Sequence, residues 1–370
     1  MSALRFVLVG AGGMGRAWIG ALARNPETEL VGVVDLDVPL AERTIAEFGL
    51  DAVAGADAVA LARAVTADAV LNVTVPGAHH PVNTAALFAG YPVLCEKPIA
   101  PTVAQALSLA AASEASGSLL MTSQSRRYEP TLTAFREQVR GLGRLGFATT
   151  EFFKAPHFGG FREQMAHVLL VDMAIHAFDT ARYLLEREPV AVYCEEFNPA
   201  WSWYAADAAA SAVFEFEGGV RYGYTGSWCA DGAETSWNGS WRVNGEHGSA
   251  LWNGEDAPTA QHRDGERMLG SVAQGRAGID GSLAEFVDAV RTGRTPSGEV
   301  HQNIRSLAMV EAAVVSASEG RRVTIAEVLE AGFARALADE QREDVRAVLA
   351  GWGSPAGLDG FGVNRVGVNA

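Results

Sequence analysis

Three polar residues stand at a spacing that suits proton transfer. Asp172 and His176 are four positions apart, and Asp179 follows three later. On a helix all three share a face. Histidine titrates near neutrality, so it can take a proton from a hydroxyl. Asp172, near the expected helix start, is a candidate N-cap, a substrate ligand or a holder of the imidazole. Asp179 is a candidate substrate contact, or a group that fixes His176 or an arginine. The bland alternative is a capping aspartate beside a core histidine. A second kind of chemistry is offered by Lys97. The 29 basic residues include only two lysines, Lys97 and Lys154. Where arginine serves almost everywhere, a lysine marks a place where a compact ammonium is wanted. An ammonium can bond a hydroxyl or carbonyl oxygen and stabilise a developing alkoxide.

A third constellation is Gly10-Ala11-Gly12-Gly13-Met14-Gly15, which follows the apolar run Leu4–Val9 and opens a helical stretch. In this G-x-G-x-x-G pattern the first glycine permits a tight turn, the second admits a pyrophosphate, and the third lets helix and strand pack closely. The phosphates then meet free N–H groups at the helix start. Asp35 ends the next apolar run, 20 residues beyond Gly15, the spacing of an acid that bonds a ribose 2′-hydroxyl. A carboxylate there repels a 2′-phosphate, and Leu36-Asp37 supplies no arginine. The expected cofactor is NAD, with NADP disfavoured.

Elements that would position these groups are legible in the first third. Short apolar runs (4–9, 30–34, 69–75, 93–95, 119–122) alternate with helical stretches (14–24, 39–48, 82–89, 102–115), the last with Thr102 as candidate N-cap. Such alternation predicts a parallel sheet covered on both faces. Ligands bind outside the carboxyl ends of such strands, where Glu96-Lys97-Pro98 falls. Beyond residue 123 the character changes. A helix is expected over 172–185, then successive strands to residue 252 with a hairpin-type link at Gly218-Gly219, then a long polar loop over 254–280, then helices. Consecutive strands predict a mostly antiparallel sheet. The expected division is a Rossmann domain at 1–123, an α/β domain at 124–330, and a helical extension with a glycine-rich tail at 331–370.

Composition narrows the function. The chain has 370 residues, 48% hydrophobic and 20% charged, with a net charge of -15. That balance supports packed domains and disfavours broad contact with nucleic acid or anionic lipid. Three cysteines and no Cys/His cluster argue against a disulfide framework or a zinc site. No apolar run approaches the ~20 residues of a membrane span, and a cytoplasmic location is expected.

Taken together, these segments resemble the Gfo/Idh/MocA oxidoreductase family. The resemblance runs through Val70, Pro76, His80 and Gly90 to Glu96-Lys97-Pro98, then Arg127-Tyr128-Glu129-Pro130, then Asp172-Met173-Ala174-Ile175-His176 with Asp179. It implies a doubly wound Rossmann sheet followed by an α+β domain with an open sheet. It implies oxidation of a secondary alcohol on a sugar, glycoside or cyclitol, or the reverse reduction. Lys97, Asp172 and His176 would be catalytic, with either Lys97 or His176 as base. Cofactor contacts would come from Gly10, Gly12, Gly13, Met14, Gly15 and Asp35, and further along from Pro76, His80, Glu96 and Lys97. Substrate would touch Lys97, Arg127, Arg162, Asp172, His176 and Asp179. His157 and His167 border the same segment. Self-association through the open sheet, as a dimer or tetramer, is expected. Six tryptophans between 201 and 252 divide between sugar stacking and a subunit interface, with those in strands assigned to the interface. Two other functions share the architecture: an enzyme that retains and recycles NAD to cleave glycosides, and a non-catalytic sensor.

Overall fold

The first apolar run forms the central strand of a parallel sheet. The computed structural model describes residues 2–355 and Leu358. Its first half runs β1 (Leu4–Val9), α1 (Gly13–Arg24), β2 (Thr28–Val34), α2 (Val38–Phe48), β3 (Val53–Gly55), α3 (Ala58–Ala64), β4 (Ala69–Asn72), α4 (Pro76–Phe88), β5 (Val93–Glu96), α5 (Val103–Ser116) and β6 (Leu120–Ser123). The six strands pair in the order β3-β2-β1-β4-β5-β6. The order reverses between β1 and β4, which opens a crevice at their carboxyl ends. β1, β4, β5 and β6 are buried over most or all of their length, as a sheet covered on both faces requires. Thr102 caps α5 as expected, accepting from the Gln105 N–H. β3 and α3 were not anticipated. A three-residue strand carries no period, although Asp57 does cap α3.

The second half runs α6 (Pro130–Arg140), β7 (Leu145–Phe153), α7 (Ile175–Leu185), β8 (Pro189–Phe197), β9 (Ala209–Phe216), β10 (Arg221–Ser227), β11 (Ser240–Gly245), β12 (Gly248–Trp252), β13 (Thr259–His262), β14 (Arg267–Leu269), α8 (Gly278–Thr292), α9 (Val300–Glu319), β15 (Val323–Thr324), α10 (Ile325–Asp339) and α11 (Glu343–Trp352). A nine-stranded sheet forms in the order β14-β13-β12-β11-β7-β10-β9-β8-β15. All its pairs are antiparallel except β7 with β10. The expected loop at 254–280 thus contains two strands: β13 pairs with β12, and β14 pairs with β13 and forms the sheet's edge, despite lacking apolar alternation.

Two boundaries differ from the sequence expectation. α8 falls within the second segment, yet Leu283, Phe286 and Val287 pack with Phe6, Leu8 and Trp18 of the first. Arg24 pairs with Asp280 across the same seam. At the other end, α10 starts at a capping box formed by Thr324 and Glu327, so a division at 330 would cut a continuous helix. α10 and α11 pack on α5, so the extension covers the chain's own first domain. The glycine-rich tail lies, apart from its first residues and Leu358, outside the described residues.

The glycine loop contains two different constraints. A Cβ on Gly15 would stand 2.0 Å from the Gly10 carbonyl oxygen, whereas one on Gly12 would meet nothing within 4 Å. Gly15→Ala should therefore cost about 3 kcal/mol, the upper end for overpacking. Gly12→Ala should stay within about 1 kcal/mol and act only on cofactor affinity. Urea denaturation alongside NAD titration checks both expectations.

Candidate active site

The glycine loop is built as a cradle. Gly10 has φ +109° and lies so close to Val73 that a Cβ would press on its carbonyl oxygen. Nothing stands above Gly12 or Gly13, and Met14 is exposed. The first turn of α1 carries no acidic residue and its N-cap no side-chain bond. Free N–H groups at this position suit a pyrophosphate. Asp35 closes the side of the cradle: one carboxylate oxygen accepts from Ala11 N–H at 2.9 Å, the other from Asp37 N–H at 3.0 Å. Pro76 is the first residue of α4, on the same edge.

Glu96, by contrast, is turned inward. It accepts from the Trp18 indole at 2.8 Å and from the Lys97 N–H at 3.0 Å, and burial pushes its pKa up. Its role is to fasten α1 to the end of β5, which fixes where Lys97 starts. His79 assists: its ring nitrogens lie 2.7 Å from the Pro98 carbonyl and 3.0 Å from that of Thr74. His80, expected at the cofactor, points elsewhere. Its Nε2 is 2.9 Å from Ser108 Oγ, which donates to Glu340 of the extension at 2.5 Å.

Lys97 reaches across to the second domain. Its Nζ donates to the Asp172 carbonyl oxygen at 2.7 Å and lies 3.3 Å from the Asp172 carboxylate. Asp172 is not a cap. It lies inside a π-helical turn, Leu169–Ala174, that runs directly into α7. Such turns depart from the regular i→i−4 ladder and recur at functional sites. The other carboxylate oxygen of Asp172 accepts from Arg162 Nε at 2.9 Å. Burial opposes the Asp172 charge, but Lys97 and Arg162 outweigh it and hold the carboxyl below the usual range.

His176 lies in the first turn of the regular helix, α7, beyond this π-helical turn. Its Nδ1 is buried without a hydrogen-bond partner. Burial, then repulsion from Arg126 and Lys97, drives its pKa well below that of an ordinary histidine. The ring is therefore neutral at physiological pH and keeps a lone pair. It lines a small cavity with Arg126, Phe152, Trp237 and Asn238.

Neighbouring candidates divide. Arg127 and Asp179, both expected at substrate, face each other in the interior with side chains 2% exposed. The pair is bidentate at 2.7 Å on both arms; Arg127 also bonds the Ser297 carbonyl, and Asp179 accepts from Ser306. Neither side chain lines the cavity of His176. Arg126, one position earlier, is the arginine that lines the cavity, whereas the motif match points to Arg127. Lys154 pairs with Glu234 at 2.8 Å beside the Trp237 ring. His157 stacks on Trp203, and His167 bonds Glu196. Of the tryptophans, Trp228, Trp241 and Trp252 are core residues. Trp241 and Trp252 oppose each other across β11 and β12, facing inward, not toward an interface. Among the described residues no cluster of side chains could hold a metal ion.

Comparison with known proteins places the chain in a family. A family model described as an oxidoreductase family with an NAD-binding Rossmann fold matches residues 4–124, and the Gfo/Idh/MocA C-terminal domain matches residues 141–251. The chain belongs to the Gfo/Idh/MocA oxidoreductase family, and its first domain is the family's NAD-binding Rossmann fold. An inositol 2-dehydrogenase 4 of Saccharopolyspora erythraea is 27% identical over 343 residues, covering 87% of this chain and 96% of that protein. A D-apiose dehydrogenase of Paraburkholderia graminis is 25% identical over 343 residues, covering 86% and 88%. An oxidoreductase from Agrobacterium radiobacter, solved with NAD+, L-tartaric acid and magnesium, shares the fold with a TM-score of 0.82 at 18% identity, over 89% of this chain and 100% of that one.

Removing one partner of a buried ion pair leaves the other charge stranded, at a cost of about 3–5 kcal/mol. Arg127→Leu should therefore lower stability by that amount in chemical denaturation. A stable Arg127→Leu protein with a raised KM would instead place Arg127 at substrate.

Proposed function

We propose that this protein is an NAD-dependent dehydrogenase of a secondary hydroxyl on a sugar, polyol or cyclitol. The observation that carries this reading is the convergence of Lys97, Asp172 and His176 at the carboxyl edge of the parallel sheet, beside the dinucleotide cradle. Relatives named as inositol and D-apiose dehydrogenases support the same class of substrate. NAD, when bound, supplies the acceptor for the hydride leaving the carbinol carbon.

The chain's own residues perform the rest. Lys97 Nζ is fixed by Asp172 and retains donor capacity for the substrate oxygen, where its charge offsets the negative charge that develops as the proton departs. His176 takes that proton. It is the better base of the two candidates because its ring is already neutral, with an unpartnered nitrogen, whereas Lys97 is committed to Asp172. Arg162 holds the other side of the Asp172 carboxylate, so that the acid stays ionised and still. Trp237 presents an exposed ring at the cavity, suited to the C–H face of a sugar.

The outer face of the nine-stranded sheet exposes Phe147, Val190, Tyr193, Val213 and Leu251. We assign it to pairing with a second copy of the chain, since a two-fold contact buries one such patch against another.

Lys97→Met and His176→Ala should each lower kcat by about 10²–10⁴-fold with NAD binding retained. Wild-type turnover in both variants would refute the mechanism. Protonating His176 removes its lone pair, so activity should be lost on the acid side. Because its pKa is depressed, that loss should fall below pH 6.5, the midpoint of an ordinary histidine. For the sheet, Tyr193→Asp with Val213→Asp should yield monomers by sedimentation from a wild-type protein that sediments as a dimer or tetramer.

A further inference from the structure

Arg126, half-buried with its Nε enclosed, stands apart from the fully buried Arg127 and Arg182. Arg127 is met by both oxygens of Asp179, and Arg182 by both oxygens of Glu188 at 2.8 Å. Arg126 has no carboxylate at ion-pair distance among the described residues. One of its terminal nitrogens donates to the Asn238 side-chain oxygen, a neutral partner, and its Nε is buried with no partner at all. Glu129 is the carboxylate that influences it, from beyond contact. Burial lowers its pKa to about 10, which still leaves it charged at physiological pH.

A desolvated guanidinium held by an amide alone is costly, and such groups are normally paired. The imbalance extends through the site. Lys97 and Arg162 share the single carboxylate of Asp172. Lys154 is already matched by Glu234. Asp179 is consumed by Arg127. Lys97, Arg162 and Arg126 therefore surround one directly paired carboxylate, that of Asp172, beside a neutral histidine; Glu96 is turned to Trp18, and Glu129 acts on Arg126 only from beyond contact. Arg126 lines the same cavity as His176, and the imidazole feels both Arg126 and Lys97.

We propose that the substrate is a sugar acid, whose carboxylate is received by Arg126 while the hydroxyl to be oxidised lies at Lys97 and His176. This rests on the dehydrogenase reading above and names the substrate class within it. The carboxylate supplies the ionic partner that Arg126 lacks, and the planar guanidinium can bind it through two parallel N–H donors. Aldonic and uronic acids have this composition; neutral hexoses and inositols lack the anion.

Matched pairs test the proposal: D-glucuronate against D-glucose, D-galacturonate against D-galactose, and D-gluconate against sorbitol. Binding is read by calorimetry on the full-length protein saturated with NADH, and turnover separately by NAD reduction. At least one acid should bind about ten- to a hundredfold tighter than its neutral partner, the range of one charged hydrogen-bonded contact. Arg126→Met should bring the two within about threefold of each other, and Arg126→Lys, which keeps the charge, should retain part of the gap. Equal binding of acid and neutral partner, no binding of either class, or a gap undiminished in Arg126→Met would each overturn the proposal. If neutral compounds reduce NAD as efficiently as acids, the sugar-acid assignment fails while the dehydrogenase reading stands. If acids bind through Arg126 but no compound reduces NAD, the anion site stands and the dehydrogenase reading fails.

Discussion

The bond from Lys97 Nζ to Asp172 is the contact on which the rest of the site depends. It joins residues 75 positions apart, one at the end of β5 and the other in the π-helical turn before α7. Each side is prepared by its own domain. Glu96 and His79 fix the peptide from which Lys97 departs. Arg162 fixes the carboxylate it meets. The ammonium is consequently held by protein groups before any substrate arrives, which is the form of preorganisation that lowers a barrier most cheaply.

The first domain was largely legible from residue order. Its strands are short, buried and bounded by glycine or proline, and its helices carry capping residues such as Thr102. What failed there was β3, three residues long and half exposed. The second sheet was legible as a class but not in extent. β13 and β14, the polar strands at one end of the sheet, owe their pairing to a neighbour already in place, so no local pattern announces them.

The site was legible as a set of residue types, and less so as a set of directions. Successive residues of a helix point about 100° apart. His79 and His80 are adjacent, yet one turns to the loop of Lys97 and the other to the extension. Arg126 and Arg127 are adjacent in a 3-10 turn, Ser125–Tyr128, and part in the same way. The family resemblance favoured Arg127, whose partner Asp179 is 52 residues distant. Nothing in the chain's order reveals that the second arginine is already satisfied. The π-helical turn that holds Asp172 is likewise invisible in composition.

The seam between α8 and the first sheet bears on how the chain acquires its structure during synthesis. Phe6, Leu8 and Trp18 emerge from the ribosome early, but Leu283, Phe286 and Val287, which cover them, emerge 265 to 281 residues later. The outer face of α5 waits longer still, for α10 and α11. Contacts of such long sequence separation form slowly, because loop closure precedes their reward. The nucleotide-binding half therefore spends most of translation with part of its apolar surface open. In that interval it is a natural client for chaperones, even though its strands and helices are the most locally determined in the protein.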